Sequence, residues 1–96
     1  MLPYLLPFML ERQIERRLTQ MAKHNGGLAI KWVAPAFSGV PDRIVFHGKG
    51  RITFVELKAP GQSQTPLQVR VAQMLRDLGA DVRVIDSMEA VDDLFA

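Results

Sequence analysis

Apolar positions recur along the chain with two spacings, one typical of helices and the other of strands. A first amphipathic helix is predicted over residues 9–24, and the glycines of Asn25-Gly26-Gly27 end it. A second helix is predicted from Thr65 to Gly79, because Thr65, Pro66 and Gln68 form the pattern of a capping box. This second helix is expected to bury its apolar side chains, namely Leu67, Val71, Met74, Leu75 and Leu78.

Four short apolar runs predict β-strands at residues 28–33, 44–46, 51–58 and 82–85. The turn Gly48-Lys49-Gly50 joins the second and third strands as a hairpin, and a short terminal helix follows Ser87. A helix between the third and fourth strands is typical of a crossover between parallel strands. We therefore expect one α/β (α+β) domain over residues 1–96, with a small mixed sheet flanked by helices.

The composition excludes several kinds of site and therefore several classes of function. The absence of cysteine excludes a disulfide framework, a thiolate zinc site, an iron–sulfur cluster and a cysteine nucleophile. The apolar segment of residues 1–10 is half the length of a membrane span and contains Pro3 and Pro7. We expect no membrane association, and we expect this segment to cover an edge of the core or a dimer interface.

The net charge of +2 conceals an uneven distribution. Residues 1–76 contain eleven Lys and Arg against four acidic residues, whereas residues 77–96 contain one Arg against six acidic residues. A basic body of this kind predicts a polyanionic partner. A carboxylate within it would repel that partner unless it lies outside the contact surface or holds a cation. The four carboxylates of the body are therefore unusual: Glu11, Glu15, Asp42 and Glu56.

Two of these carboxylates are predicted to converge on the hairpin. Alternation along residues 51–58 places Glu56 and Lys58 on one face, and Asp42 begins the neighbouring strand after Pro41. A divalent cation between the two carboxylates would remove their repulsion, and oxygen ligands without His or Cys favour Mg²⁺ or Mn²⁺. The alternatives are a solvated charge pair for Glu56 and Lys58, and a turn residue after proline for Asp42.

These residues stand in a recognisable order. Gly39-Val40-Pro41-Asp42-Arg43, Phe54-Val55-Glu56-Leu57-Lys58 and Gln68, with Glu15 on the first helix, closely resemble the VRR-NUC family, a branch of the PD-(D/E)xK nuclease superfamily. The likeness runs over residues 11–86 and fits the short stand-alone form of phages and bacteria. The fragments alone are common by chance. Their order, the fourteen-residue gap from Asp42 to Glu56 bridged by a hairpin, and the helix after it make the resemblance specific.

The resemblance implies a PD-(D/E)xK nuclease-like αβββαβ core and metal-dependent hydrolysis of DNA phosphodiesters, with branched DNA such as Holliday junctions favoured. Asp42 and Glu56 would ligate Mg²⁺ or Mn²⁺ together with the backbone carbonyl of Leu57. Lys58 would orient the attacking water and offset charge at the scissile phosphate. Gln68 would supply a polar group of the catalytic site from its helix, although the capping box also explains this residue without any site.

Glu15 would match an acidic residue that related resolvases place on the first helix, as a catalytic group and a further metal ligand. The alternative is that Glu15 pairs with a Lys or Arg on the helix surface. Glu11, one helical turn earlier, is the weaker candidate for the same role. His24 and His47 have no evident partners in the sequence and predict structural or exposed roles.

Basic side chains of the body are candidates for contacts with DNA phosphates: Arg12, Arg16, Lys31, Arg43, Lys49, Arg51 and Arg70. A homodimer is expected, because two copies would give two active sites for the two strands of a symmetric junction. The family resemblance implies the cytoplasm of a bacterial or phage-infected cell. Two alternatives stay open: a DNA-binding module of the same fold that does not cleave, and a restriction-type or nicking endonuclease on duplex DNA.

Overall fold

The computed structural model of the chain describes residues 5–96, with the side chains of all of these except Leu5 and Phe8. The predicted role of residues 1–10 as a cover or dimer interface therefore falls partly outside the described residues. The elements follow one another as α1 (Leu5–His24), β1 (Leu28–Lys31), β2 (Arg43–Gly48), β3 (Arg51–Leu57), α2 (Pro66–Asp77), β4 (Asp81–Ile85) and α3 (Met88–Leu94). The predicted αβββαβ core is confirmed, and so is the predicted short helix after Ser87, which is α3.

The four strands form one mixed sheet in the order β1-β2-β3-β4. β1 pairs with β2 and β2 with β3 in antiparallel register, whereas β3 and β4 are parallel neighbours. The β2–β3 turn is built on positive φ angles at Gly48, Lys49 and Gly50. The helix α2 connects the two parallel strands, as the sequence predicts.

The core lies between one face of the sheet, here called the core face, and the helices α1 and α3. Alternation along β3 directs Thr53, Val55 and Leu57 to this face. The spacing of apolar residues along α1 directs its buried side chains to the same core. The buried members of the core are Ile14, Leu18, Ala22, Val45, Val55, Leu57, Ile85, Val91 and Leu94.

The first helix is longer than the sequence predicts. It extends back to Leu5 and includes Pro7, which the apolar periodicity places before the helix. A proline in the first turn of a helix costs no hydrogen bond, since the N–H groups there have no intrahelical acceptor. Pro7 therefore does not interrupt the helix. None of the helices within residues 5–96 combines the length and the apolar character that crossing a membrane requires.

The opposite face of the sheet, here called the open face, is covered only in part, because α2 packs beside β4. The predicted apolar face of α2 is wrong in part: Leu67, Met74 and Leu78 are 46%, 48% and 84% exposed. Val71 and Ala72 are the residues that α2 buries. On the rest of the open face, apolar side chains of β1, β2 and β3 remain exposed, namely Leu28, Ile30, Phe46 and Ile52.

Candidate active site

Two carboxylates meet where β2 begins and β3 ends. Arg43 lies opposite Val55 in the antiparallel register, so the preceding residue, Asp42, comes opposite Glu56. The Oδ1 atom of Asp42 accepts a hydrogen bond of 3.2 Å from the backbone N–H of Leu57. This bond joins the segment before β2 to the end of β3, and it holds the Asp42 carboxylate beside the position that the sequence predicts for a metal.

Glu56 is the most deeply buried charged residue that the structure describes, with 3% of its surface exposed. Its Oε1 atom accepts a hydrogen bond of 3.2 Å from Nε2 of Gln68, and Nζ of Lys58 lies 3.9 Å from the same oxygen. Its other oxygen, Oε2, is buried without a hydrogen-bond partner among residues 5–96. Burial first, and then the negative charge of Asp42, raise the pKa of Glu56 to about 7.

The pKa of Asp42 is also raised above its usual value. Burial is the largest cause, and the negative charge of Glu11 acts in the same direction. The hydrogen bond from the N–H of Leu57 and the positive charges of Arg43 and Lys58 act against this rise. Both members of the carboxylate pair are therefore costly to ionise together, as is typical of a site that binds a cation.

Gln68 performs two tasks with one side chain. Its side-chain Oε1 atom accepts a hydrogen bond of 2.9 Å from the backbone N–H of Thr65. Its backbone N–H donates to Oγ1 of Thr65 at 3.2 Å, and the two bonds complete the predicted capping box. Its Nε2 atom donates to Glu56. The sequence predicts Gln68 either as a capping residue or as a polar group of the site, and the two roles are compatible. The capping box holds the side-chain amide in the position from which it faces the buried carboxylate.

Gly39 fixes the loop that leads to Asp42. It has a φ of +89°, and a Cβ atom at this position would lie 2.9 Å from Cγ of Leu67 and 3.0 Å from Cγ2 of Val71. A side chain here would push the loop away from α2. The close approach therefore sets the loop before β2 against the helix that carries Gln68.

Comparisons with known proteins agree with this geometry. The model of the VRR-NUC domain matches residues 4–89 of the chain. The chain belongs to the VRR-NUC family. It is 46% identical over 79 residues to "Putative nuclease p44" of Acyrthosiphon pisum secondary endosymbiont phage 1, a match that covers 82% of this chain and 85% of that protein. A solved structure described as "VRR_NUC domain" is similar with a TM-score of 0.82 and 33% identity, covering 88% of this chain and 91% of that one.

The predicted resemblance to the VRR-NUC family is thus confirmed over nearly the whole chain. The chain is a nuclease, a hydrolase that cleaves nucleic acid. The structure brings the predicted residues Asp42, Glu56, Lys58 and Gln68 together at one edge of this VRR-NUC domain. Their catalytic and metal-binding roles stay predictions.

The two acidic residues of α1 relate to the site in different ways. Oε2 of Glu15 pairs with Nη2 of Arg43 at 2.9 Å, so Glu15 has a cationic partner on the sheet. Glu11 has the stronger electrostatic effect on the site, since its charge raises the pKa of both Asp42 and Glu56. The spacing along the helix could not show how Glu11 and Glu15 differ in their relation to the site, because the two residues lie on the same face one turn apart.

The predicted phosphate-contact residues do not form one cluster. Arg12 and Arg16 line a shallow concavity on α1 with Glu15 and Thr19. Lys31 lies opposite Arg43 in the strand register. Further residues lie elsewhere: Lys49 and Arg51 are at the hairpin turn, at the other end of β2 and β3, and Arg70 is on the exposed side of α2.

The donor set of this VRR-NUC site fits a divalent cation. Across residues 5–96, no group of three or more His, Asp or Glu side chains is arranged to hold a metal. The available ligands are therefore two carboxylates and backbone oxygen. A buried carboxylate oxygen without a donor costs about 1–3 kcal/mol or more, and a cation would provide the partner that Oε2 of Glu56 lacks. Oxygen ligands of this type suit Mg²⁺ or Mn²⁺.

Proposed function

We propose that this nuclease is a metal-dependent DNA endonuclease that hydrolyses phosphodiester bonds with Mg²⁺ or Mn²⁺. The observation that carries the proposal is the buried Oε2 atom of Glu56, which has no hydrogen-bond partner among the described residues and lies beside a second carboxylate, Asp42. These two carboxylates and the backbone carbonyl of Leu57 would hold the metal. The bound metal would lower the pKa of its water and offset charge in the transition state.

The neighbouring side chains prepare the site for this chemistry. Gln68 binds Oε1 of Glu56, which leaves Oε2 as the oxygen available to a metal. The ammonium of Lys58, 3.9 Å from Oε1, is a compact donor that can orient water and contact a non-bridging phosphate oxygen. Its side chain is only 16% exposed, so the ammonium acts where water is largely excluded and its charge is weakly screened.

The substrate that we propose is branched DNA, bound by a homodimer. The uneven charge supports a polyanion, with the basic body contacting phosphates through Arg12, Arg16, Lys31, Lys49, Arg51 and Arg70. Apolar side chains exposed on the open face support a second copy as a partner. Two copies would present two sites to the two strands of a symmetric junction. The phage relative, whose name describes a nuclease, supports action in the cytoplasm of a host cell.

The direct test is cleavage by the purified chain of labelled four-way junction, flap and linear duplex DNA, each with Mg²⁺, with Mn²⁺ and with EDTA. We expect metal-dependent cleavage that is fastest on the junction, and loss of cleavage with retained DNA binding in Lys58→Ala. Binding without cleavage in every condition would favour the non-cleaving module. Sequence-dependent cleavage of linear duplex would favour the restriction-type or nicking alternative.

A further inference from the structure

The first side chain of β2 forms a bridge between α1 and the backbone of Asp42. Nη2 of Arg43 pairs with Oε2 of Glu15 at 2.9 Å, and Nη1 donates to the backbone oxygen of Asp42 at 2.9 Å. The Arg43 side chain is 11% exposed, whereas that of Glu15 is 38% exposed. The guanidinium therefore lies inside the protein, with Glu15 closing its outer side.

The bridge ends on Asp42, whose other hydrogen bonds within residues 5–96 come from backbone groups. The carbonyl oxygen of Asp42 also accepts from the N–H of Trp32 at 2.9 Å, and its Oδ1 accepts from the N–H of Leu57 at 3.2 Å. Nη1 of Arg43 lies 3.9 Å from the same Oδ1. Arg43 is thus the side chain that ties Asp42 to the helix α1, while β1 and β3 hold it within the sheet.

We propose that Arg43 is a positioning residue for the metal-binding carboxylate Asp42, with Glu15 as its anchor on α1, and that it does not contact DNA phosphate. The proposal rests on the function proposed above. A planar guanidinium can bind a carboxylate and a carbonyl at once, and a lysine cannot reproduce both contacts. Two of the donors that a phosphate would need are already bonded inside the protein.

The charge of Arg43 also lies close to the Asp42 carboxylate, since Nη1 is 3.9 Å from Oδ1 of Asp42. Arg43→Lys keeps this charge but loses the planar guanidinium that makes both contacts. The variant therefore separates positioning from electrostatic support.

The chain contains a matched control on the same helix. Arg17 on α1 pairs with Asp92 on α3 through two hydrogen bonds of 2.9 Å, with both side chains 44% exposed. This pair has the same chemistry, but it lies on the surface and contacts neither Asp42 nor Glu56. Arg17→Lys and Asp92→Asn should leave metal binding unchanged.

The test is Mn²⁺ binding by isothermal titration calorimetry to the wild type, Arg43→Lys, Glu15→Gln, the double variant and the two controls, with thermal unfolding measured for each. We expect Arg43→Lys to weaken Mn²⁺ binding about tenfold, as is typical when an outer partner of a metal ligand is lost. Half-maximal junction cleavage should require correspondingly more metal. Junction affinity in EDTA, and its dependence on salt, should match those of the wild type.

The double variant decides how Glu15 acts. If Glu15 works through Arg43, Glu15→Gln weakens Mn²⁺ binding in the wild type but adds nothing to Arg43→Lys. Additive losses would overturn the anchor role and make Glu15 a direct ligand. An Arg43→Lys variant that binds Mn²⁺ like the wild type, but loses junction affinity with a smaller salt slope, would overturn the positioning role in favour of a phosphate contact.

Two further outcomes separate this inference from the function on which it rests. A wild-type chain that binds no Mn²⁺ and cleaves no DNA would overturn both. A wild type that binds and cleaves, with variants that behave identically, would overturn the inference alone. Glu15→Gln removes only one contact of a half-exposed side chain, so it keeps the test valid if Arg43→Lys does not fold.

Discussion

Two polar side chains of β3 are buried, and their surroundings differ. Thr53 is fully buried on the core face, where its hydroxyl donates to Oδ2 of Asp81 at 3.0 Å and lies 2.9 Å from Nε2 of His47. Because the one hydroxyl proton goes to Asp81, Nε2 of His47 is the donor to Thr53. Glu56, on the open face, keeps one oxygen without any partner among residues 5–96.

The carboxylate beside Thr53 and the carboxylate of Glu56 have pKa values that are shifted in opposite directions. Burial acts to raise the pKa of Asp81, but hydrogen bonds from Arg83 and Thr53 bring it below its usual value. Burial and the charge of Asp42 raise the pKa of Glu56 to about 7. A completed buried network stabilises a fold, whereas a buried polar atom without a partner needs an explanation such as a bound ion. The comparison therefore separates a structural centre from the proposed functional one within seven residues of strand.

The largest expected difference between these two centres is in cleavage. Glu56→Gln removes the charge of the proposed metal ligand but keeps its shape, and we expect junction cleavage to fall on the order of 10³-fold. Thr53→Val removes the hydroxyl at the other end of β3, and cleavage should be unchanged at a temperature where the variant is folded. Single-turnover rates with Mg²⁺ measure both. A Glu56→Gln variant that cleaves like the wild type would contradict the assignment.

The same two substitutions should change stability in opposite directions. The unfolded chain releases the proton of Glu56 near pH 4.5, but the metal-free folded protein keeps it until about pH 7. The free energy of unfolding therefore falls as pH rises through this window, by at most about 3 kcal/mol. Glu56→Gln should remove this loss, so it should stabilise the metal-free protein at pH 8 and have little effect at pH 4.5. Thr53→Val should destabilise by about 1–3 kcal/mol at both values, because Asp81 and His47 lose a partner.

Urea unfolding in EDTA at the two pH values measures these changes. Saturating Mn²⁺ provides the control, since a bound cation removes the cost of the ionised carboxylate and should stabilise the wild type more than Glu56→Gln. Equal effects of Glu56→Gln at pH 4.5 and pH 8 would show that the buried carboxylate does not carry the raised pKa.

The smallest expected effect comes from the side chain that supports Glu56. Gln68→Ala loses the half of the capping box in which its Oε1 accepts from the N–H of Thr65, and it also loses the hydrogen bond to Glu56. Thr65→Ala loses only the other half, in which Oγ1 accepts from the backbone N–H of residue 68. Both variants should lose about 1 kcal/mol of stability. Only Gln68→Ala should slow cleavage, by about tenfold, the loss that corresponds to one hydrogen bond to a charged group. Equal cleavage rates in the two variants would reduce Gln68 to a capping residue.

Local signals in the sequence predicted most of the fold. The glycine turn after β2, the capping box at Thr65 and the stop at Gly79 depend on neighbouring residues only, and the structure has each of them. The buried face of α2 was predicted less well, because its exposure depends on where the helix lies across the sheet. Met74 has the right periodicity for burial, but its side chain is 48% exposed.

The sequence motif and the alternation along the strands predicted only part of the site. Asp42 and Glu56 could be brought together because a hairpin connects them. The pairing of Glu15 with Arg43 could not be predicted. The two residues are 28 positions apart in the sequence, and only the packing of α1 against the sheet brings them together. The effect of Glu11 on both carboxylates likewise depends on how α1 crosses the sheet.

The most direct test of the account is calorimetric titration of Mn²⁺ into the wild type and Asp42→Asn, with Asp92→Asn as the control carboxylate on the surface. The account predicts that the wild type and Asp92→Asn bind Mn²⁺ with the same affinity, whereas Asp42→Asn binds at least about tenfold more weakly. Unchanged affinity in Asp42→Asn would contradict the claim that the two carboxylates where β2 begins and β3 ends hold the metal.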